Sequence, residues 1–195
     1  MKKEQYIITS DESYTYPSLI IPIIDKIEEF RISKNLNKEE ITIWCPFDVK
    51  EDMEYINQGE TIYLKQSLYY KCLKEAYKLI ISHIATQDFF KVEPKIHYDL
   101  IISNPPFKKA EFFKRALVFN KPFALVCPAS WLNDPYNLFS DKRLQLFISD
   151  KRSKFFNKKT INQPTFKAIY YCYNFLQQND IQWFKLDKSL DINLL

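Results

Sequence analysis

Apolar residues along this chain follow two rhythms. In "LIIPIIDKIEEF", Leu19 to Phe30, they recur at helical spacing; Ser18 is placed to cap that helix, and Pro22 falls in its early turns. "SLYYKCLKEAY" has the amphipathic spacing of another helix, with Ser67 as its N-cap, and "KKAEFFKRALVF" has that of a third. The other rhythm is the short, unbroken apolar run. "ITIWC" (Ile41 to Cys45) stops at Pro46, and "KLIISHI" (Lys78 to Ile84), "YDLIIS", "FALVCPA" and the late "KAIYYCYNFL" repeat the pattern. Runs without polar alternation suit strands buried on both faces, as in a parallel sheet. Strands alternating with helices predict an α/β fold: a doubly wound, mainly parallel sheet with helices on both faces. The stretch "VKEDMEYINQGETIYL" looks inserted between "PFD" and the serine-led helix. No repeat or Pro/Ser-rich linker divides the chain, so residues 1–195 read as a single domain.

The ends of the strands carry the candidate chemistry. "PFD" follows Cys45, "ATQDFF" follows Ile84 and "NPPF" follows Ser103. In a parallel sheet these loops share the carboxyl edge, where open α/β sheets bind ligands. Pro46, Phe47, Asp48, Asp88, Phe89, Phe90 and the run Asn104 to Phe107 would then line one crevice. Acids and rings together suit a purine-containing ligand, with hydrogen bonds to its edge and apolar contact with its face. Taken singly, each has a plainer role, the rings as core and Asp48 and Asp88 as turn caps.

"DLIISNPPF" is the sharpest of these signals. Pro105 and Pro106 end the strand, since neither can donate to a ladder and each restricts the residue before it. Asn-Pro-Pro-aromatic suits methyl transfer to a planar exocyclic nitrogen, whose lone pair is delocalised and weakly nucleophilic. The Asn104 side-chain oxygen and the Pro105 carbonyl can accept its two N–H bonds and bias it toward tetrahedral geometry. The prolines hold those acceptors before substrate arrives. Phe107 offers a face to a flipped base.

Composition narrows the classes. The single glycine, Gly59, excludes glycine-rich phosphate cradles. The four cysteines are scattered and the histidines are only His83 and His97, so neither zinc, a disulfide nor another metal site is expected. "MKKEQYIITSDESYTYP" lacks the apolar core of a signal peptide, and no apolar run approaches membrane-spanning length; a cytoplasmic protein without membrane contact is expected. The net charge of +4 is mild but suits an anionic partner. Basic residues concentrate in "SDKRLQLFISDKRSKFFNKKT": Arg143, Lys151, Arg152, Lys154, Lys158 and Lys159, interleaved with Phe155 and Phe156. That pattern suits a nucleic-acid-contacting insertion over about 141–165, tracking phosphates and stacking bases, or else a solvated face.

From "DESYTYPSLIIPII" through "IWCPFD", "SHIATQDFF", "YDLIISNPPF" and "FALVCPASWL" to "TFKAIYYCYNFL", the chain resembles amino-group methyltransferases of the adenine-N6 type, in particular small phage-type DNA adenine methyltransferases. The resemblance implies a Rossmann-like class I methyltransferase fold, S-adenosylmethionine as cofactor, and methyl transfer to an exocyclic amino nitrogen, first of all adenine N6 in DNA. It implies that Tyr14, Thr15 and Pro17 close over the methionine end of the cofactor and that Pro46, Phe47 and Asp48 cradle it. Asp88 would bond its adenine amino group, with Phe89 against the ring, and Asn104, Pro105, Pro106 and Phe107 would be catalytic. Related motifs serve guanine-N2 methylation in RNA and glutamine methylation in proteins. Three features depart from the pattern. "CPFDVKED" has no glycine, Ser82 and His83 stand where an acid normally ends the second strand, and the chain is short for a separate target-recognition domain. Target recognition would then fall to the basic segment or to a protein partner. An RNA base methyltransferase, and a catalytically degenerate relative that binds or inhibits a nucleic-acid machine, remain alternatives.

Overall fold

The apolar runs become strands, and all but the edge strand Leu79–His83 bury both faces. The computed structural model describes residues 14–57, 60–64, 66–83, 88–106, 111–133, 144–156, 161–162 and 166–194. In chain order its elements are β1 (Tyr14–Thr15), α1 (Pro17–Ser33), β2 (Thr42–Val49), β3 (Met53–Asn57), β4 (Glu60–Leu64), α2 (Leu68–Ala76), β5 (Leu79–His83), β6 (Leu100–Ser103), α3 (Glu111–Val118), β7 (Phe123–Pro128), β8 (Leu144–Ser149), β9 (Phe155–Phe156), β10 (Ile161–Asn162), β11 (Ala168–Tyr173) and β12 (Ile181–Phe184), with 3-10 turns at Ala129–Asn133 and Lys188–Leu194.

Seven strands form the main sheet, in the order β12-β8-β11-β7-β6-β2-β5. Neighbours are parallel except at β11, which runs against both β7 and β8. Side chains alternate across it. Ile43, Cys45, Ile102 and Tyr170 face a core shared with α1 and α2. Trp44, Ile101, Leu125 and Tyr171 face a second core with Phe113 and Ala116 of α3 and with Phe89 and Tyr98. Helices therefore cover both faces of a mostly parallel α/β sheet, as the alternation of runs implies.

Several local expectations change. Ser18 does not cap α1: Tyr16 is the N-cap residue, without a side-chain cap bond, and Pro17 opens the helix. Ser18 instead donates its backbone N–H and its hydroxyl to the Asp191 carboxylate, both at 2.9 Å. A carboxylate from the far end of the chain thus does the capping. Ser67 caps α2 as expected, its Oγ accepting from the N–H groups of Tyr69 and Tyr70.

Strand β2 does not stop at Pro46. It pairs with β5 from Thr42 to Cys45, lapses, and pairs again at Val49. Pro46 has no N–H to give the ladder, so Pro46, Phe47 and Asp48 bulge out of it. The inserted stretch is a β3–β4 hairpin forming a sheet of its own. The segment 141–165 is not wholly an insertion, because its residues Leu144–Ser149 are β8, an internal strand of the main sheet. Beyond that, β9 pairs with β1 and β10.

Candidate active site

The topology nominates a place before any side chain does. From β2 the chain proceeds to β5 on one side, then crosses back to β6 on the other. The strand order therefore reverses at β2, and the carboxyl ends of β2 and β6 flank a crevice at that switch point. The bulge Pro46–Asp48 sits at one lip and Asn104 at the other.

These lips are tied together by Asp48. Its carboxylate accepts the Ser67 hydroxyl at 2.5 Å, the Ser103 hydroxyl, and the backbone N–H of Asn104. Ser103 Oγ in turn accepts the Phe47 N–H at 3.0 Å. One buried acid thus fixes the end of β2, the end of β6 and the N-terminus of α2. Burial raises the Asp48 pKa from 3.8 to about 6, and the three hydrogen bonds only partly offset it. Ser103 is fully buried, Asn104 half-buried, Pro105 buried and Pro106 exposed. Chain geometry thus presents the start of the Asn-Pro-Pro turn at the crevice mouth, anchored from beneath.

Beside it lies an aromatic wall. Phe47 packs on Phe89 at 4.8 Å and on Phe112 at 5.1 Å, and Phe90 packs on Phe112 at 5.0 Å between centroids. Phe89 is buried, while Phe90 is 38% exposed. The outer ring is thus better placed to meet a ligand than the one expected to do so. Asp88 is exposed and works locally, its carboxylate accepting the Phe90 N–H at 3.0 Å and pairing with Lys91 at 3.4 Å. It is a turn cap whose surface still reaches water.

The remaining expected residues divide. Tyr14 and Thr15 form β1, which packs against α2, and Pro17 is buried at the start of α1. Thr15 Oγ1 is buried and has no hydrogen-bond partner among the described residues. In the basic segment, Lys151, Arg152 and Lys154 are exposed in the loop after β8. Phe155 is only 4% exposed and belongs to the core beneath α1, which removes it as a stacking ring. Phe107, Arg143, Lys158 and Lys159 lie outside the described residues. Sequence reasoning missed Ser67 and Ser103 as holders of Asp48. Ser103 adjoins Asn104 in "IISNPPF", but nothing in a strand's last serine announces a partner 55 residues away.

Among the described residues no group of three or more His, Cys, Asp or Glu is placed to hold a metal ion, and no helix is long and apolar enough to cross a membrane. No family model and no curated protein matches the sequence. Solved structures do show a distant likeness. A methylase candidate from Haemophilus influenzae is 13% identical with a TM-score of 0.41, covering 83% of this chain and 100% of that one. A second, from Clostridium difficile 630, is 16% identical with a TM-score of 0.28, over 57% of this chain and 28% of that one.

Proposed function

We propose that this protein transfers a methyl group from S-adenosylmethionine to an exocyclic amino nitrogen, with adenine N6 in DNA as the first candidate acceptor. The observation that carries the reading is the Asp48 knot, which holds the Asn104-Pro105-Pro106 turn rigidly at the switch-point crevice.

The residues at hand fit the cofactor in part. The buried Thr15 Oγ1 lacks a hydrogen-bond partner among the described residues, as a group awaiting a polar ligand would. Asp88 and the exposed Phe90 together offer an acceptor and a ring beside Phe47. Asp48 does not fit as a direct ligand, since its oxygens are buried and already serve three donors. Thr15, Phe47, Asp88 and Phe90 would hold the cofactor, and Asp48 would shape their surroundings.

When bound, S-adenosylmethionine supplies an electrophilic methyl on a sulfonium, whose departure as a neutral thioether needs no acid. The chain's part is to hold the amine. Asn104 Oδ1 and the Pro105 carbonyl would accept its two N–H bonds, so its lone pair would be freed from the ring and held toward the methyl donor. The surplus proton left on nitrogen after methylation would pass to water. Acceptors fixed in advance cost no reorganisation when the amine reacts.

Two measurements test this. Calorimetry with S-adenosylmethionine should show binding; none at millimolar ligand would sink the proposal. Under saturating cofactor, Asn104→Ala should lower methyl incorporation into adenine-containing DNA by about 100-fold or more while leaving cofactor affinity nearly unchanged. Full activity in that variant would reduce the motif to a turn. A second reading, a non-catalytic binding module on this fold, is favoured by the glycine-free "CPFDVKED" and by Ser82 and His83 at the end of β5, and it prevails if the wild type is inactive on DNA, RNA and protein alike.

A further inference from the structure

The edge of the sheet farthest from β5 is unlike the rest. Strand β12 alternates, with Phe184 packed on Phe147 at 4.4 Å on one face and Ile181 and Trp183 on the other. Those two are 57% and 65% exposed. On the same face of the adjoining strand, Leu144, Leu146 and Ile148 are only half-buried. This apolar strip sits among cations. Lys167 places its Nζ 5.3 Å from the centre of the Trp183 ring. Lys151, Lys185 and Lys188, with Leu186, Asp187 and Ser189, line an open cavity of about 560 Å³ at the carboxyl ends of β8 and β12. Arg152 and Lys154 are exposed on the adjacent loop.

Among the described residues none of these six cations is held in an ion pair. Two acids lie among them: Asp150 accepts the Leu186 N–H at 2.8 Å and Asp187 accepts the Ser189 N–H at 2.9 Å. Both stay within electrostatic reach of Lys151, and Asp187 also of Lys185. Six cations against these two acids leave the patch positive. Both β8 and β12 run parallel to β2 and β6, so this cluster lies on the same edge of the sheet as Asn104.

We propose that the β12 edge is a platform for single-stranded nucleic acid, with one base stacked on Trp183 and the phosphates following Lys151, Lys167, Lys185 and Lys188. Charge complementarity selects a polyanion, and the exposed indole selects one with free base faces. In a duplex those faces are covered by neighbouring pairs, whereas an unpaired strand presents them. The cation over the ring strengthens this arrangement, since an ammonium beside a stacked base also meets its phosphate. The platform rests on the nucleic-acid part of the proposed function and names the form of the acceptor: an unpaired strand led along the edge toward the Asn104 turn.

The test uses the full chain without cofactor and a fluorescein-labelled oligothymidine, alongside a duplex of equal length, read by anisotropy at several salt concentrations. The single strand should bind more tightly than the duplex. Trp183→Ala should weaken it by about 5- to 100-fold, and Trp183→Phe should restore most of the loss. A Lys167→Gln, Lys185→Gln, Lys188→Gln triple variant should reduce the slope of log affinity against log salt by about 2. Equal binding by wild type and Trp183→Ala, or an unchanged salt slope, overturns the platform. So does failure to bind either probe, including the case in which the wild type self-associates through this strip or binds only an acidic protein. A wild type that binds the strand but transfers no methyl group leaves the platform standing and sinks the enzyme reading alone. An active enzyme whose Trp183→Ala variant binds normally does the reverse.

Discussion

Asp48 links pH to stability and to the site with opposite signs. Its folded pKa of about 6 lies above the ordinary 3.8, so the folded chain holds this proton more tightly than the unfolded one. The associated stabilisation is complete below pH 3.8 and is lost as pH rises through about 6. A shift of that size corresponds to roughly 3 kcal/mol. Urea midpoints should therefore show wild type gaining on Asp48→Asn as pH is lowered across this window. An identical pH profile in the variant would show that Asp48 is not the group that titrates. Turnover should move the other way. A protonated Asp48 must donate a hydrogen bond of its own, so Ser103 or Asn104 loses an acceptor, and the rate should fall below about pH 6. Asp48→Asn should lack that acid limb, which a merely space-filling role would leave in place.

At the scale of elements, α1 illustrates a helix whose start is completed from a distance. Its opening residues include Pro17 and no side-chain cap of their own, and Pro22 removes a further donor inside it. The Asp191 carboxylate supplies what is missing by taking the Ser18 N–H and hydroxyl 173 residues away in sequence. Asp191→Ala should cost about 1–2 kcal/mol, measured by urea denaturation, because it leaves a buried N–H and hydroxyl without acceptors. A loss below about 0.3 kcal/mol would mean that water takes over the cap. By contrast, Ser67 caps α2 from the adjacent position, and that role was legible in sequence because N-cap geometry is local. The same hydroxyl's bond to Asp48 was not.

Over the whole molecule, the β3–β4 hairpin stands apart from the main sheet. Its base is closed by the Gln66 N–H to Asp52 at 2.8 Å and by Ser67 N–H to the Val49 carbonyl at 3.1 Å. Replacing 53–64 with a short flexible linker should therefore change folding stability by less than about 1 kcal/mol, since loop closure depends only weakly on length. Calorimetric melting measures it, and a large loss would show that the hairpin buttresses the Asp48 knot through its stem.

The chain's own pattern determined the layers: unbroken apolar runs have two faces to bury, so they had to become sheet strands covered by helices on both sides. It also marked the strand end at Asn104, because proline acts within a few residues, whereas the same signal at Pro46 produced a bulge inside β2 and not an end. Tertiary structure alone decided which of the residues near these prolines are buried in the fold and which border the crevice. Asp48 became a buried anchor because Ser67 and Ser103 reach it from other elements. Phe155 became core because it pairs across from Thr15, and β8 became an internal strand because β11 and β12 flank it. Contacts of that kind join positions tens of residues apart, and the energy of each exists only once the sheet has brought both partners out of water.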